Sequence, residues 1–327
     1  MEKLDRTSAN EAQMRALQSL GHHMGQQLLS YMQDPDIFEV RLNPDSKIWI
    51  DTFSRGQYYT GHNMNAHSAK QVMYEIAALT GQVIHPDRGM LQAEIPDSYL
   101  FDSSRFQGML PPVTEAPAFA IRKHGNVEYT LDDYLGKGIV TPRQKEIILQ
   151  AIYDEKNIII AGGTKSGKTT FVNAILTEIS KIKGIRVVIM EDTAELRCTN
   201  EDKVSLRTTP EVSLNDLLRI TLRLSPNRIV VGEIRGNEAL TLLDAWSTGH
   251  RGGCSTVHSD SAYDTLSRLE GLVSRVSLTP QHETVGRAID MVVYLKYQNL
   301  KRYVEDIIFV NGYDKKRGEY IIKHAPK

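Results

Sequence analysis

The chain has 327 residues, 41% hydrophobic and 24% charged, which is the composition of an ordinary globular protein with room for two domains. Its 39 basic and 40 acidic residues give a net charge of −1, which excludes a chain-wide attraction to nucleic acid or acidic lipid but leaves room for a local patch. Two cysteines exclude a disulfide framework. Since neither a signal peptide nor an apolar run of roughly 18–20 residues is present, we expect a soluble protein of the reducing cytosol.

Residues 1–126 are predicted to form an α+β domain built mainly on an antiparallel sheet. Apolar residues recur at three- and four-residue intervals from about 7 to 32 and predict one long helix. The segment "IFEVRLNPDSKIWIDT" predicts two alternating strands around the turn 43–46. The remaining predicted elements are a strand near 58–59, a helix over 68–79, and strands near 91–95, 106–110 and 118–122.

Residues 127–140 are predicted to be an interdomain linker, because several glycines occur in the stretch from 125 to 138 and Thr130 can cap only a short helix.

From 141 to 327, short apolar strands alternate with helices, which indicates a buried, mainly parallel sheet with helices on both faces. The final segments, 290–297, 303–311 and 319–323, are predicted to be antiparallel strands appended to that sheet.

The segment "IIIAGGTKSGKTT" fits the phosphate-binding pattern G-x-x-x-x-G-K-[ST] between a predicted strand and a predicted helix. Glycines in such a loop let backbone N–H groups turn inward onto phosphate oxygens. Lys168 is expected to neutralise the β- and γ-phosphates, and the Thr169 hydroxyl to complete a Mg²⁺ shell. The predicted nucleotide-binding residues are Gly162, Gly163, Thr164, Lys165, Ser166, Gly167, Lys168, Thr169 and Thr170.

Two later predicted strands end in acidic residues. Glu191 and Glu195 follow "RVVIM", and Glu233 follows "RIVVG". Sheets of this kind bind ligands at the carboxyl ends of their strands, and hydrolysis needs a carboxylate to orient or deprotonate water. These acids are therefore candidate catalytic groups, although an acid at a strand end can also simply cap a helix.

The stretch "TGHRGGCSTVHSD" holds His250, Cys254 and His258 and admits three interpretations. A zinc site would need further ligands nearby, and a nucleophilic cysteine would not need a phosphate-binding loop. Because the stretch ends a strand expected to run parallel to the others, we favour His258 as a sensor of the γ-phosphate or of the attacking water.

In order, "GGTKSGKTT", "MEDTAEL", "RIVVGEIRG" and "TGHRGGCSTVHSDSA" resemble the Walker A, Asp, Walker B and His boxes of the type II/type IV secretion traffic ATPases. Further segments, among them "DPDIFEVRLNPDSKIWID" and "DSSRFQGMLPPVTEAPAFAIRKH", are similar to the conjugal-transfer (TrbB-like) branch. The resemblance implies a RecA-like P-loop NTPase domain preceded by a smaller α+β domain. It also implies a homohexamer that hydrolyses ATP with Mg²⁺ to power a type IV secretion or conjugative transfer machine.

The resemblance also implies roles for particular residues. It makes Arg105 and Arg122 the arginines that bind the nucleotide phosphates, favours Glu195 over Glu191 as the catalytic carboxylate, and places Glu233 near Mg²⁺. It implies a peripheral position at the cytoplasmic face of the inner membrane through partner proteins, with no obligatory nucleic acid. The chain departs from the family at Lys165, where glycine is usual, and at Arg251, where proline is commoner.

Three other functions stay open from the sequence. A RecA-like nucleic-acid translocase predicts a basic, aromatic-bearing channel and stimulation by single strands. A metabolic kinase predicts phosphate transfer to a small acceptor. In a nucleotide-gated assembly scaffold, ATP would set the shape of a ring and hydrolysis would be incidental.

Overall fold

The computed structural model describes residues 2–100, 102–124, 129–209 and 211–326. The chain divides into two compact units, residues 1–126 and 127–327. Gly125 and residues 127–128 of the predicted linker lie outside the described residues.

The described part of the first unit forms a six-stranded antiparallel sheet with two helices. Its elements are α1 (Glu2–Gln33), β1 (Ile37–Leu42), β2 (Lys47–Thr52), β3 (Gly56–Asn63), α2 (Ala66–Leu79), β4 (Met90–Ile95), β5 (Ser104–Met109) and β6 (Ala118–Lys123). The strand order is β3-β2-β1-β6-β5-β4. Gly25 interrupts α1 with a non-helical backbone, so the predicted single helix contains a kink.

Successive side chains of each strand point to opposite faces of this sheet, and the two faces carry different residues. One row of paired residues runs from β2 to β4 and is buried in the core with residues of α1 and α2: Ile50, Val40, Ile121, Phe106 and Ala93. The neighbouring residues of β6 and β5, Arg122 and Arg105, therefore lie on the opposite face. The predicted α+β architecture of this region is present.

The second unit contains the remaining elements. They are α3 (Leu131–Gly136), α4 (Pro142–Tyr153), β7 (Ile158–Gly162), α5 (Lys168–Ile179), β8 (Val187–Glu191), β9 (Lys203–Arg207), α6 (Leu214–Thr221), β10 (Arg228–Glu233), α7 (Glu238–Ser247), β11 (Cys254–His258), α8 (Asp264–Val273), α9 (His282–Ala288), β12 (Met291–Gln298), β13 (Lys301–Asp314) and β14 (Glu319–His324).

Among the described residues of this unit, eight strands form one sheet in the order β14-β13-β12-β7-β11-β10-β8-β9. The six strands from β12 to β9 are parallel, and β13 and β14 extend the sheet antiparallel. Both faces are covered: one core cluster contains residues of α6 to α9, and another contains residues of α3 to α5. The fully buried strands β7 and β8 match the continuous apolar runs expected for a sheet covered on both faces.

Several details differ from the expectation. The segment 290–297 was predicted to be an antiparallel strand, and this was wrong for one of its two neighbours. Strand β12 pairs antiparallel with β13 but parallel with β7. Strand β9 and helix α9 were not predicted; β9 has no buried residue and α9 spans only seven residues, so neither carries a strong apolar pattern.

The segment predicted as a linker, 127–140, packs into the second unit where it is described. Thr130 caps α3 in a capping box with Asp133, as the sequence suggested. Leu131 and Tyr134 are then buried in the same core cluster as Phe171 of α5. The assignment of 127–140 as an interdomain linker stays a prediction. In the described part of the chain, no helix is both long and apolar enough to cross a bilayer.

Candidate nucleotide-binding site

The phosphate-binding loop joins β7 to α5, and it requires glycine at Gly162 by contact and conformation and at Gly167 by conformation. Gly162 has φ +154°, and a Cβ there would lie 2.3 Å from the carbonyl oxygen of Leu295. Gly167, with φ +90°, immediately precedes the first residue of α5. The loop therefore brings the chain from a wholly buried strand to the N-terminus of a helix, where backbone N–H groups bind anions.

Lys168, the first residue of α5, is buried beside this loop. Its ammonium donates hydrogen bonds to the carbonyl oxygens of Gly162 and Gly163, each at 2.9 Å. The same nitrogen lies 3.3 Å from Nδ1 of His258. These contacts fix the cation at the loop that the sequence identified as the phosphate site.

His258 connects the loop to the next acidic residue. It is the Cα partner of Gly162 across β11 and β7, so it ends its strand beside the loop, as predicted. Because the Lys168 ammonium can only donate, Nδ1 of His258 is the acceptor in this contact, which leaves Nε2 as the ring nitrogen that faces Glu233. Nε2 lies 3.4 Å from Oε1 of Glu233, so the imidazole bridges the lysine and the carboxylate.

Glu233 ends β10 and is held ionised by its neighbours. Burial acts to raise the pKa of its carboxyl, but the hydrogen bond and charge of Arg235, together with other positive charge nearby such as Lys168, lower the pKa by more. The Arg235 guanidinium donates to Oε2 of Glu233 at 2.6 Å and lies 3.5 Å from Asp192. The result is a pKa below the ordinary glutamate value, and therefore a carboxylate anion at neutral pH.

Glu191, at the end of β8, is in a different state from Glu233. It is buried, and burial raises the pKa of its carboxyl to about 7, although two backbone N–H groups oppose the rise. Those groups belong to Glu195 and Leu196, which donate to Oε1 at 3.0 and 2.9 Å. Glu191 therefore holds the backbone of the segment that carries Glu195, whose own side chain is only half-buried.

The residues predicted to hold Mg²⁺ fit that ion chemically. Mg²⁺ is usually bound by one or two protein oxygens together with substrate phosphates and water. Thr169 supplies a hydroxyl one residue after Lys168, and Glu233 supplies an ionised carboxylate at the same sheet edge. Within the described ranges, no cluster of three or more His, Cys, Asp or Glu side chains forms an all-protein metal cage.

The other two residues of the "TGHRGGCSTVHSD" stretch lie away from this edge. His250 precedes β11, whereas His258 ends it, so the two imidazoles are at opposite ends of one strand. Cys254 is wholly buried, and burial raises the pKa of its thiol to about 12. A thiol that stays protonated at neutral pH is not a nucleophile.

Arg105 and Arg122 belong to the first unit and are direct neighbours there. They are Cα partners across β5 and β6. The row continues outward to Glu94 on β4 and Glu39 on β1, so each arginine also has a glutamate as its other Cα partner. Guanidinium groups suit phosphate oxygens because they donate in a planar fork, and the role of these two arginines as phosphate ligands stays a prediction.

Two residues near the loop were not predicted from the sequence. Asn173 of α5 donates to the carbonyl oxygen of Glu195 at 3.0 Å and accepts from the N–H of Arg197 at 2.9 Å. Arg302 of β13 donates to the carbonyl oxygen of Lys165 at 3.0 Å. Neither lies in a recognisable motif, and Arg302 is far from the loop in sequence, so only the fold reveals their contacts.

Comparison with known proteins identifies the family of the chain. The family model for "Type II/IV secretion system protein" matches residues 26–298. A probable conjugal transfer protein TrbB of Sinorhizobium fredii is 40% identical over 303 residues, covering 91% of this chain and 92% of that protein. The type IV secretion system protein VirB11 of Brucella suis biovar 1 is 27% identical, covering 87% of this chain and 86% of that one.

Among solved structures, the ATPase DotB of Legionella pneumophila matches with a TM-score of 0.64 at 18% identity. The match covers 88% of this chain and 80% of that one. At that identity the likeness concerns the fold, and it confirms the predicted fold class, a RecA-like P-loop unit preceded by a smaller α+β unit.

Proposed function

Because the chain belongs to the type II/IV secretion system protein family, in its conjugal-transfer (TrbB-like) branch, we propose that it is the ATPase that powers a conjugative or related type IV secretion machine. The reaction is hydrolysis of ATP to ADP and phosphate. The observation that carries the proposal is the Lys168 ammonium, fixed by two loop carbonyls and bridged through His258 to an ionised Glu233.

The chain's own groups supply the steps of hydrolysis. The loop N–H groups and Lys168 bind the β- and γ-phosphates and stabilise the charge that develops on them. Glu195 orients the attacking water, on a backbone that Glu191 and Asn173 hold in place. Thr169 and Glu233 would hold Mg²⁺, which would supply positive charge for the phosphates.

His258 and the two arginines complete the proposed machinery. Through its contacts with Lys168 and Glu233, His258 senses whether a γ-phosphate is present. Arg105 and Arg122 bind the nucleotide phosphates and add the positive charge that one lysine leaves uncompensated. Hydrolysis and phosphate release would then weaken these contacts and change the conformation of the protein.

Purified protein tests the central assignment. Wild type should release free phosphate from ATP in the presence of Mg²⁺, and Lys168→Ala should reduce that release to background. Lys183→Ala removes an exposed lysine beyond the end of the same helix and should leave turnover unchanged. Phosphate release by Lys168→Ala at the wild-type rate would exclude the proposed site.

The assembly and its partners are also part of the proposal. We expect a ring of six copies of the 36.8 kDa chain, held at the cytoplasmic face of the inner membrane by other components of the secretion machine. Light scattering of the purified protein with and without ATP tests the ring. ATPase activity that rises strongly with single-stranded DNA would favour the nucleic-acid translocase instead.

A further inference from the structure

Lys165 gives the phosphate-binding loop an unusual backbone. Its φ is +65°, in the left-handed region that residues with a Cβ rarely adopt. It stands between Gly163 and Gly167, so the loop makes this turn without a glycine at that position. A lysine held in this conformation requires surrounding structure that fixes it.

Arg302 makes a contact that fixes this turn. Its Nε donates a hydrogen bond of 3.0 Å to the carbonyl oxygen of Lys165. Its side chain also lies along the next part of the loop, because a Cβ built on Gly167 would be 3.5 Å from Cδ of Arg302. One arginine therefore bonds to the loop before Ser166 and lies beside the loop after it.

The β12–β13 hairpin holds Arg302 in position. Gln298 and Lys301 are Cα partners, and the two residues between them, Asn299 and Leu300, have φ of +52° and +60°. These values are those of a tight two-residue hairpin turn. The Arg302 guanidinium then lies 4.7 Å from the centroid of the Tyr297 ring on the paired strand.

We propose that Arg302 is a positioning residue that holds the left-handed turn at Lys165 and so keeps the loop N–H groups directed at the nucleotide phosphates. This inference rests on the proposed function, because it assigns Arg302 to the same ATP site. It gives the C-terminal hairpin a direct role in nucleotide binding, since the hairpin carries the group that shapes the loop.

If Arg302 holds the turn at Lys165, the effects of substitutions at these two positions on ATP binding should be coupled. Glycine adopts φ +65° without a steric penalty, so a loop with Lys165→Gly depends less on Arg302. Lys165→Ala removes the same charge but keeps a Cβ, so it retains the dependence. Comparison of these two backgrounds separates the effect of backbone conformation from the effect of charge.

A double-mutant cycle measured by titration calorimetry with ATP tests the proposal. We expect Arg302→Gln to raise the Kd for ATP about tenfold in the wild-type and Lys165→Ala backgrounds, and about twofold or less with Lys165→Gly. The same pattern is expected with inorganic tripolyphosphate, because the contact acts on the phosphates. Equal fold-changes in all three backgrounds, or none, would overturn the inference.

Controls distinguish this result from a general loss of structure. Lys301→Gln changes the neighbouring exposed residue of the hairpin and should leave the Kd for ATP unchanged. Arg302→Lys keeps a donor at this position and should give an intermediate Kd; if Arg302→Gln does not fold, the same cycle is run with Arg302→Lys. If wild type itself binds no ATP, the proposed function fails; if it binds ATP and the cycle is additive, only the role of Arg302 fails.

Discussion

Glu191 accepts a hydrogen bond of 3.0 Å from the backbone N–H of Glu195, and the carboxylates of the two residues therefore have different surroundings. Glu191 is buried and oriented toward the backbone, whereas the side chain of Glu195 is half-buried. A group that orients water must reach the substrate, and a group that orients a loop must reach the backbone. This difference supports Glu195 as the catalytic carboxylate and Glu191 as its positioning residue.

Glu195→Gln is therefore expected to bind ATP but to hydrolyse it about 100-fold or more slowly, since loss of a general base typically costs that much. Binding is measured by calorimetry and turnover by phosphate release. Glu201→Gln, which neutralises an exposed acid in the same region, is the matched control and should hydrolyse ATP normally. Near wild-type turnover by Glu195→Gln would transfer the catalytic role to Glu191 or Glu233.

Glu191 should also make stability depend on pH. Burial raises the pKa of its carboxyl from 4.5 to about 7, so the folded protein binds this proton more tightly than the unfolded chain. The stability that this group contributes is fully present below pH 4.5 and is lost as the pH rises through about 7. Glu191→Gln keeps an oxygen that accepts from Glu195 and Leu196 but does not titrate.

The free energy of unfolding of Glu191→Gln, minus that of wild type, should therefore be about 2 kcal/mol larger at pH 8 than at pH 5. Urea denaturation of both proteins at the two pH values measures the shift. Glu201→Gln, at an exposed acid, is measured in parallel as the control for the substitution itself. A difference between Glu191→Gln and wild type that is also constant with pH would contradict the raised pKa.

Much of the fold was predictable because its determinants are local. The isoleucines of β7, the cap at Thr130 and the pattern of Gly162, Gly167 and Lys168 each predict the structure around them. The parallel pairing of β12 with β7 was not predictable, because strand direction depends on partners distant in the chain. The same limit hid Arg302, because its partner Lys165 is distant from it in the chain.

The candidate site shows a similar division. The motifs predicted that His258, Glu233 and Lys168 lie at one sheet edge, since the carboxyl ends of parallel strands meet there. They did not predict the ionisation states of the acids, which depend on burial and on neighbours such as Arg235. Their catalytic roles remain predictions for kinetic tests.

His258→Ala is expected to lower the rate of ATP hydrolysis more than it weakens ATP binding. The imidazole bridges Lys168 and Glu233, so its loss should disturb the arrangement of the γ-phosphate while leaving the loop N–H groups in place. We expect a fall in kcat of roughly 10- to 100-fold. Ser259→Ala, next to it in the chain, is the control, and equal kcat values for the two variants would contradict this role.

Arg105 and Arg122, as Cα partners on one face of the first unit, should act on the phosphates together. Arg105→Ala and Arg122→Ala are each expected to lower kcat about 10- to 1000-fold, because guanidinium groups stabilise the charge that develops during phosphoryl transfer. The double variant should lose less than the product of the two single losses, since neighbouring groups that share a ligand are coupled.

The matched control for both arginines is Arg55→Ala, which removes an exposed arginine from the β2–β3 turn, where its guanidinium lies over the ring of Tyr58. It changes the net charge of the same unit by the same amount, so it should leave kcat near the wild-type value. Steady-state kinetics of all four variants measures the comparison. If Arg105→Ala and Arg122→Ala behave like Arg55→Ala, charge on this face does not take part in hydrolysis, and the paired arginines have a structural role within their own sheet.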